Sequence, residues 1–504
     1  MKKIKVLSLL AALVLTCTSC AALSTENINE ATQYASSSAL ETELFSDRDY
    51  DTSYDEEEAV IVELDDETVT IDEEGTYLLS GTILDGSVII DAPDDAKIQL
   101  ILDGCNITSS SSAAIYVKNA DKVFITTSEN SVNTLTNTTG FEADGDTNVD
   151  GVIFSKADLT LNGEGTLIID SVQNGIVSKD ELVITSGTYE ITSEGHGLQG
   201  KDDIAIFDGY FTITAGEDAI HGKNSDDPSM GYVVIEGGEF TIDSGDDAIH
   251  AESDLVINGG NIDILSCTEG LEGNTVTVTQ GTVSIIASDD AVNAAGSAGD
   301  TMTADSTCFV KIEGGTLDIT TDGDGIDSNG DLIITGGYIT ISGPENSGNG
   351  SLDYAGTGSI TGGTIIAAGM AGMEMNMSEA TQGSILVSTG NQTSGTAITV
   401  TDGTGEEILI FTPSTTYSSV LISSPELEVG QTYTVSCGSY SESITLEDYI
   451  SGQTMGMGGR IPDGENMPFE TPEGGFEGGV PGNPGGPGAR GGFEEGMPPP
   501  FPSN

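Results

Sequence analysis

Residues 174–194 read NGIVSKDELVITSGTYEITSE, and residues 196–217 read HGLQGKDDIAIFDGYFTITAGE. Both open on a polar residue, a glycine and an apolar residue. A lysine and an aspartate follow, then two short runs in which apolar and polar residues alternate. Alternation of period two puts every second side chain on one face, as in a half-buried strand. The pattern returns as DAIHGKN at Asp218, DAIHAESDLVINGGNIDILSCT at Asp247 and EGLEGNTVTVTQGTVSIIASD at Glu269. It returns again as DAVNAAG at Asp290 and DGIDSNGDLIITGGYITISG at Asp324. Successive starts differ by 22, 22, 29, 22, 21 and 34 residues, the two long steps carrying insertions near 224–230 and 295–307.

A repeat of this length, holding two or three short strands, is one coil of a parallel β-helix. Helical solenoids need longer units of helical period, and leucine-rich repeats need a Leu/Asn signature that is missing. The sequence therefore predicts an all-β fold, a right-handed parallel β-helix over residues 59–400 with coils ~4.8 Å apart. The column Ile176, Leu198, Ile220, Ile249, Leu271, Val292 and Ile326 should face inward. Residues 401–450 read as a small antiparallel β unit closing the stack.

The rest of the chain is of a different kind. MKKIKVLSLLAALVLTC has the basic start and short apolar run of a signal peptide, assigned to residues 1–20. The run is too short to span a membrane. The stretch TSC followed by two alanines resembles a bacterial lipobox with Cys20 as the lipidated residue, although Cys17 stands where Leu or Val is usual. A lipid-anchored protein at the outer cell surface is expected, with simple secretion as the alternative. Residues 21–58, acidic and Ser-rich, read as a disordered tether, and residues 451–504 as a disordered Gly/Pro/Met-rich tail. Cys105, Cys267, Cys308 and Cys437 form no CxxC pair and read as buried thiols, with disulfides as the alternative.

The chain carries 82 acidic against 14 basic residues, a net charge of −68. Such a chain has nothing with which to neutralise phosphates, so nucleic acid is excluded as a partner. Its compact form repels itself, and divalent cations would relieve that.

Aligned positions of a stacked repeat become physical columns, and three are expected to point outward. The first is Asn174, His196, Asp218, Asp247, Glu269, Asp290 and Asp324. Carboxylates one coil apart repel, and calcium, which takes six to eight oxygens, suits the gaps between them. The second column is Gln199, His221, His250, Glu272, Asn293 and Asp327. His221 and His250 should stack on one another, as sugar-contacting donors or a pH-sensitive polar patch, and a zinc pair there lacks a third ligand. The third is Lys156, Lys179, Lys201 and Lys223, with Lys118 as a candidate before them, a basic strip in a chain poor in bases. The stretch DGDTNVDG, with Asp144, Asp146 and Asp150 at alternating positions, also reads as a calcium loop, although it lacks the EF-hand Gly and Glu.

Several of these stretches carry a resemblance. GVIFSKADLTLNGEGTLII (151–169), NGIVSKDELVITSGTYEI (174–191), HGLQGKDDIAI (196–206) and the segment from DGDGIDSNGD (322–356) resemble secreted bacterial β-helix proteins of the carbohydrate-binding domain family. The resemblance spans residues 59–440. It implies a pectate-lyase-like fold, binding of cellulose and acidic pectic sugars, and binding of calcium. This chain departs from the family pattern in carrying DAIH where DGI followed by Lys or Gln is usual.

The reading is a non-catalytic polysaccharide-binding protein in which calcium bridges sugar and protein carboxylates beside the lysine strip. One alternative is a calcium-dependent pectate-type lyase with Lys201 or Lys223 as the base. Another is a structural or adhesin solenoid. No nucleophile elbow, P-loop, HExxH or Ser/His/Asp set is present.

Overall fold

The computed structural model describes residues 44–452, apart from 225 and 297–302. Among the described residues every regular element is a strand. From Gly151 to Ala215 each strand pairs in parallel with the third strand before and the third after. Asn174–Ser178 lies between Gly151–Ser155 and Leu198–Gly200. Glu181–Ile184 lies between Asp158–Gly163 and Asp203–Ile206, and Thr188–Ser193 between Thr166–Ser171 and Tyr210–Ala215. One repeat is therefore one coil of three strands, and each of the three belongs to its own parallel column.

The register is residue on residue. Ile176 sits on Leu198, then on Ile220, Ile249, Leu271 and Val292 in turn, and all are fully buried, as is Ile326. The predicted inward column is thus the core of the stack, each such side chain contributing roughly 1.5–3 kcal/mol by burial. In a second buried column, Tyr189, Phe211 and Phe240 lie with ring centroids 5.0 and 4.5 Å apart and planes within 12° and 4°. Glycine precedes the strand that carries each of the first two rings for two reasons. Gly187 and Gly209 have φ of +123° and +148°, and a Cβ would lie 2.7 Å from the Tyr189 hydroxyl and 2.8 Å from the Phe211 ring.

Two boundaries differ from the sequence reading. Parallel stacking ends with Thr364–Gly369 and Glu379–Ala380, because Gly383–Gln392 pairs antiparallel with Tyr417–Ser424. The closing unit therefore begins about 20 residues earlier than position 400. A short apolar run such as SILVS fits either pairing direction, so its pattern did not distinguish them. Ile398–Thr401, Glu407–Phe411, Thr432–Cys437 and Tyr440–Thr445 form the unit's own four-stranded antiparallel sheet.

The described part of the expected tether, from residue 44, packs on the stack. Asp49 is 1% exposed. Its carboxylate accepts from the Thr160 hydroxyl at 2.6 Å and lies 3.0 Å from Lys122 Nζ. Its carbonyl accepts from Asn162 and Thr185, and the Arg48 guanidinium sits 4.6 Å above the Phe124 ring. An aspartate in an aperiodic acidic stretch gives no sign of such a role. The signal peptide, Cys20, the first part of the tether and all but the start of the expected tail lie outside the described residues. All four cysteines from Cys105 onward are free and buried.

Candidate functional site

The first column lies where each coil turns into a strand. Its side chains accept from the backbone N–H of their counterparts one coil on. His196 N donates to Asn174 Oδ1 at 2.9 Å, and Asp218 N to His196 Nδ1 at 3.2 Å. Asp247 N donates to Asp218 Oδ1 at 3.0 Å, Glu269 N to Asp247 Oδ1 at 3.2 Å, and Asp324 N to Asp290 Oδ1 at 2.6 Å. Gly350 N donates to Asp324 Oδ1. A short side-chain acceptor that reaches the next turn amide is what the position requires, which is why Asn, Asp and His recur there. The column is consequently not the outward acidic face expected from sequence: Asp218 and Asp247 are only 3% and 7% exposed. Their side chains run along the stack to reach the amides instead of projecting into water.

One carboxylate oxygen is thereby committed to structure and the other is left for the second column. That column runs in register through Gln199, His221, His250, Glu272, Asn293, Asp327 and Asp353. His221 and His250 do stack, at 4.8 Å and 12°. His221 is 5% exposed, however, and is too deep for the sugar contact expected of it. His250 keeps a quarter of its side chain in solvent. Asp218 Oδ2 lies 2.8 Å from His221 Nδ1, and His250 Nδ1 lies 3.3 Å from both Asp247 Oδ2 and Glu272 Oε2. His196 crosses from the first column to place Nε2 3.3 Å from His221 Nδ1. Three further acids, Asp290, Asp324 and Asp327, converge with their carboxylate oxygens within 4.8 Å of one another, as do Asp247, Glu269 and Glu272.

The electrostatics change along this seam. At its histidine end burial would raise Asp218, but hydrogen bonds from His196 and His221 hold it well below the carboxylate range. Burial lowers His221. His250 shifts the other way. Burial opposes the imidazolium, and the Asp247 carboxylate together with the neighbouring acids overcomes it, so His250 is shifted up. At the other end only acids remain. Burial, reinforced by neighbouring carboxylates, pushes Glu269 to about 7, Asp290 to about 6, Asp324 to about 7 and Asp327 to about 8. Asn293, 7% exposed, donates to Glu269 Oε2 at 2.8 Å and keeps its own carbonyl oxygen without a partner. Buried acids pushed toward neutrality beside an unused amide oxygen make an oxygen-rich seat for a hard cation.

The lysine strip continues the strands of the second column. The backbone N–H groups of Lys156, Lys179, Lys201 and Lys223 each donate to a carbonyl of the preceding coil, so the side chains emerge one above another. Lys118 leads the strip. It pairs with Asp144 at 2.8 Å, Lys179 with Asp150 at 3.6 Å and Lys201 with Asp226 at 3.4 Å. Lys179, Lys201 and Lys223, with Ser178 and Gln199, line an open cleft of about 180 Å³. Gln199 belongs to both features, so the basic cleft adjoins the histidine end of the seam. The expected calcium loop at 144–151 is not assembled. Asp144 is taken by Lys118 and the Tyr116 hydroxyl, Asp150 by Lys179 and Asn148, and Asp146 is exposed. Among the described residues these three acids do not converge. Alternating acids give no indication that the lysines one coil away will claim them.

Beside the strip, Asp203 is 5% exposed, accepts the Tyr232 hydroxyl at 2.6 Å through Oδ2, and leaves Oδ1 without a partner. Burial pushes it to about 7, against ~3.9 in an unfolded chain. The folded state keeps a proton that the unfolded state has lost. Stability therefore falls as pH rises from about 4 to about 7, by at most on the order of 4 kcal/mol from this group. Asp203→Asn retains an acceptor for Tyr232 and removes that slope. In urea titrations the variant should gain on the parent between about pH 5 and about pH 8. An equal difference at both would refute the assignment.

A family profile of carbohydrate-binding domain-containing proteins matches residues 65–304. The match includes the histidine end of the seam, the lysine cleft, and Asp290 of the acidic end. A carbohydrate-binding domain-containing protein of Acetivibrio thermocellus is 37% identical over 122 residues, which are 24% of this chain and 43% of that relative. The matched region thus spans less than half of the relative's length. Among solved structures, a polysaccharide lyase-like protein from C. thermocellum, studied as a gadolinium derivative, is 26% identical. That alignment covers 55% of this chain and 96% of the other, with a TM-score of 0.39.

Proposed function

We propose that this chain is a cell-surface polysaccharide-binding protein that takes acidic, pectin-like glycans with the help of calcium. The observation that carries the reading is the adjacency of two opposite surfaces, a cleft of Lys179, Lys201 and Lys223 and a seam rich in carboxylates, joined through Gln199. In this reading the coiled stack is a right-handed parallel β-helix, and an acidic glycan lies along its axis. Sugar carboxylates pair with the lysines, Lys156 extending the strip, and His250 is the histidine exposed enough to meet the chain. Calcium sits among Asp247, Glu269, Glu272 and the Asn293 carbonyl oxygen, and among Asp290, Asp324 and Asp327, where it replaces protons and bridges to the glycan. Asp218 is assigned no calcium, because its free oxygen faces the His196 and His221 imidazoles and not further oxygens. Cys20 would carry the lipid that holds the chain at the membrane.

Electrophoresis of the chain through gels containing polygalacturonate tests this. Retardation with calcium and free mobility in EDTA is the expected result, and replacing the three cleft lysines by alanine should abolish it. Equal mobility in both gels would sink acidic-glycan binding and leave a neutral, cellulosic glycan or a structural role. A lyase remains the second reading because Lys201 and Lys223 stand in the cleft where a base would be needed. Its mark would be a cleared trail behind the band.

A further inference from the structure

The histidine end of the seam has different chemistry from the acidic end. His196, Asp218 and His221, on two successive coils, bring ligand atoms within 4.8 Å of one another, and Glu217 adds a carboxylate beside His196. His221 Nδ1 is 2.8 Å from Asp218 Oδ2 and 3.3 Å from His196 Nε2, and His196 Nε2 is 3.1 Å from Glu217 Oε2. A tetrahedron with metal–ligand arms of 2.0–2.1 Å has edges of roughly 3.3 Å. These three separations are of about the length of such edges.

The proton inventory shows what occupies the space otherwise. The Asp218 amide donates to His196 Nδ1, which puts the His196 proton on Nε2. The short contact with Asp218 puts the His221 proton on Nδ1. Two N–H groups then lie 3.3 Å apart, His196's beside Glu217 and His221's beside Asp218, while His221 Nε2, on a ring 5% exposed, has no hydrogen-bond partner. A cation between the rings replaces these two hydrogens. The His196 proton moves to Nδ1, which gives up the bond from the Asp218 amide.

We propose that His196 Nε2, His221 Nδ1 and Asp218 Oδ2, with Glu217 Oε2 closing the set, bind one divalent transition ion of the zinc class. The site is separate from the oxygen-only acidic end and does not depend on the calcium reading. Calcium takes oxygen ligands, so it does not compete for two nitrogens. The sequence suggested His221 with His250 and offered no third ligand. The fold pairs His221 with His196 instead and turns His250 Nδ1 to Asp247 and Glu272.

The test titrates the chelator-treated full chain with zinc against a chromophoric chelator, in excess calcium. One zinc per chain should be retained. Cobalt in its place should give the intense visible absorption of a four-coordinate ion. His196→Gln should weaken binding ~100-fold or more, and Glu217→Gln, an exposed side chain that folding does not need, ~10-fold. His250→Gln should leave it within a few-fold. No retained zinc, displacement of zinc by calcium, or unchanged affinity in both His196→Gln and Glu217→Gln would each overturn the proposal. Calcium-dependent retardation in polygalacturonate gels, measured on His196→Gln, separates this outcome from failure of the glycan reading.

Discussion

Calcium should raise the unfolding temperature of the chelator-treated chain, and the rise should vanish when Asp324 and Asp327 are both replaced by Asn. Burial and mutual repulsion push both acids up, and Asp290 with them. Without a cation the three carboxylates keep protons or repel one another, and at 4.8 Å a bare pair at an effective dielectric of 20 costs about 3.5 kcal/mol. An ion that binds only the folded state at a hundred times its dissociation constant adds ~2.7 kcal/mol. For a chain of roughly 400 ordered residues that is on the order of 3 °C. Asn at both positions keeps a side-chain oxygen for the Gly350 amide, so the turn is preserved while the ligand charge is lost. The sign should then invert between conditions. In EDTA the double variant should melt at or above the parent, because repulsion is gone, and in calcium it should melt below. Magnesium, which demands a tight octahedron and keeps its waters, should reproduce little of the rise. An equal calcium shift in parent and variant would place the ion elsewhere. A variant less stable than the parent in EDTA would mean that the carboxylates themselves hold the coils together.

What the sequence conveyed and what it concealed follow one line. Columns were readable because stacking is in register: once Ile176 and Leu198 are equivalent, the residues just after them, Val177 and Gln199, must be too, and so must Lys179 and Lys201. Spacing therefore brought His221 to His250 and gathered the lysines into a strip. Spacing does not say which way a side chain leans. The Asp218 column leans along the stack to cap the next turn amide, which buries it, and no periodicity distinguishes that from projection into water. Nor does spacing reveal contacts between columns. His196 reaches His221 diagonally, across both coil and column, and Asn293 shares its proton donor with Glu269 in the same diagonal way. Asp49 lies outside the repeat altogether, and its seat among Lys122, Thr160, Asn162 and Thr185 is built by three different coils.

Phe211→Ala should be the most damaging single substitution in the core, costing ~3–5 kcal/mol. The ring is 2% exposed and sits between Tyr189 and Phe240, nearly parallel to both. Its removal opens a void with a ring on each side. The rigid spacing of the coils keeps the neighbours from closing it, since their backbones are pinned in register through Tyr189 to Phe211 and Phe211 to Phe240. Further along the column the residues are Ile262, Val283, Leu317 and Ile339. There a truncation such as Ile262→Val removes one methylene and should cost only ~0.5–1.5 kcal/mol. Stacked repeats couple mainly to their neighbours, so the damage should be local before it is global. Hydrogen exchange should accelerate first in Thr188–Ser193, Tyr210–Ala215 and Glu239–Ser244, and not in the antiparallel closing unit. Denaturant midpoints fix the magnitude and exchange fixes the place. Uniform acceleration over all coils would show instead that the stack unfolds as one cooperative body, and a cost near that of Ile262→Val would show that the coils can settle into the void.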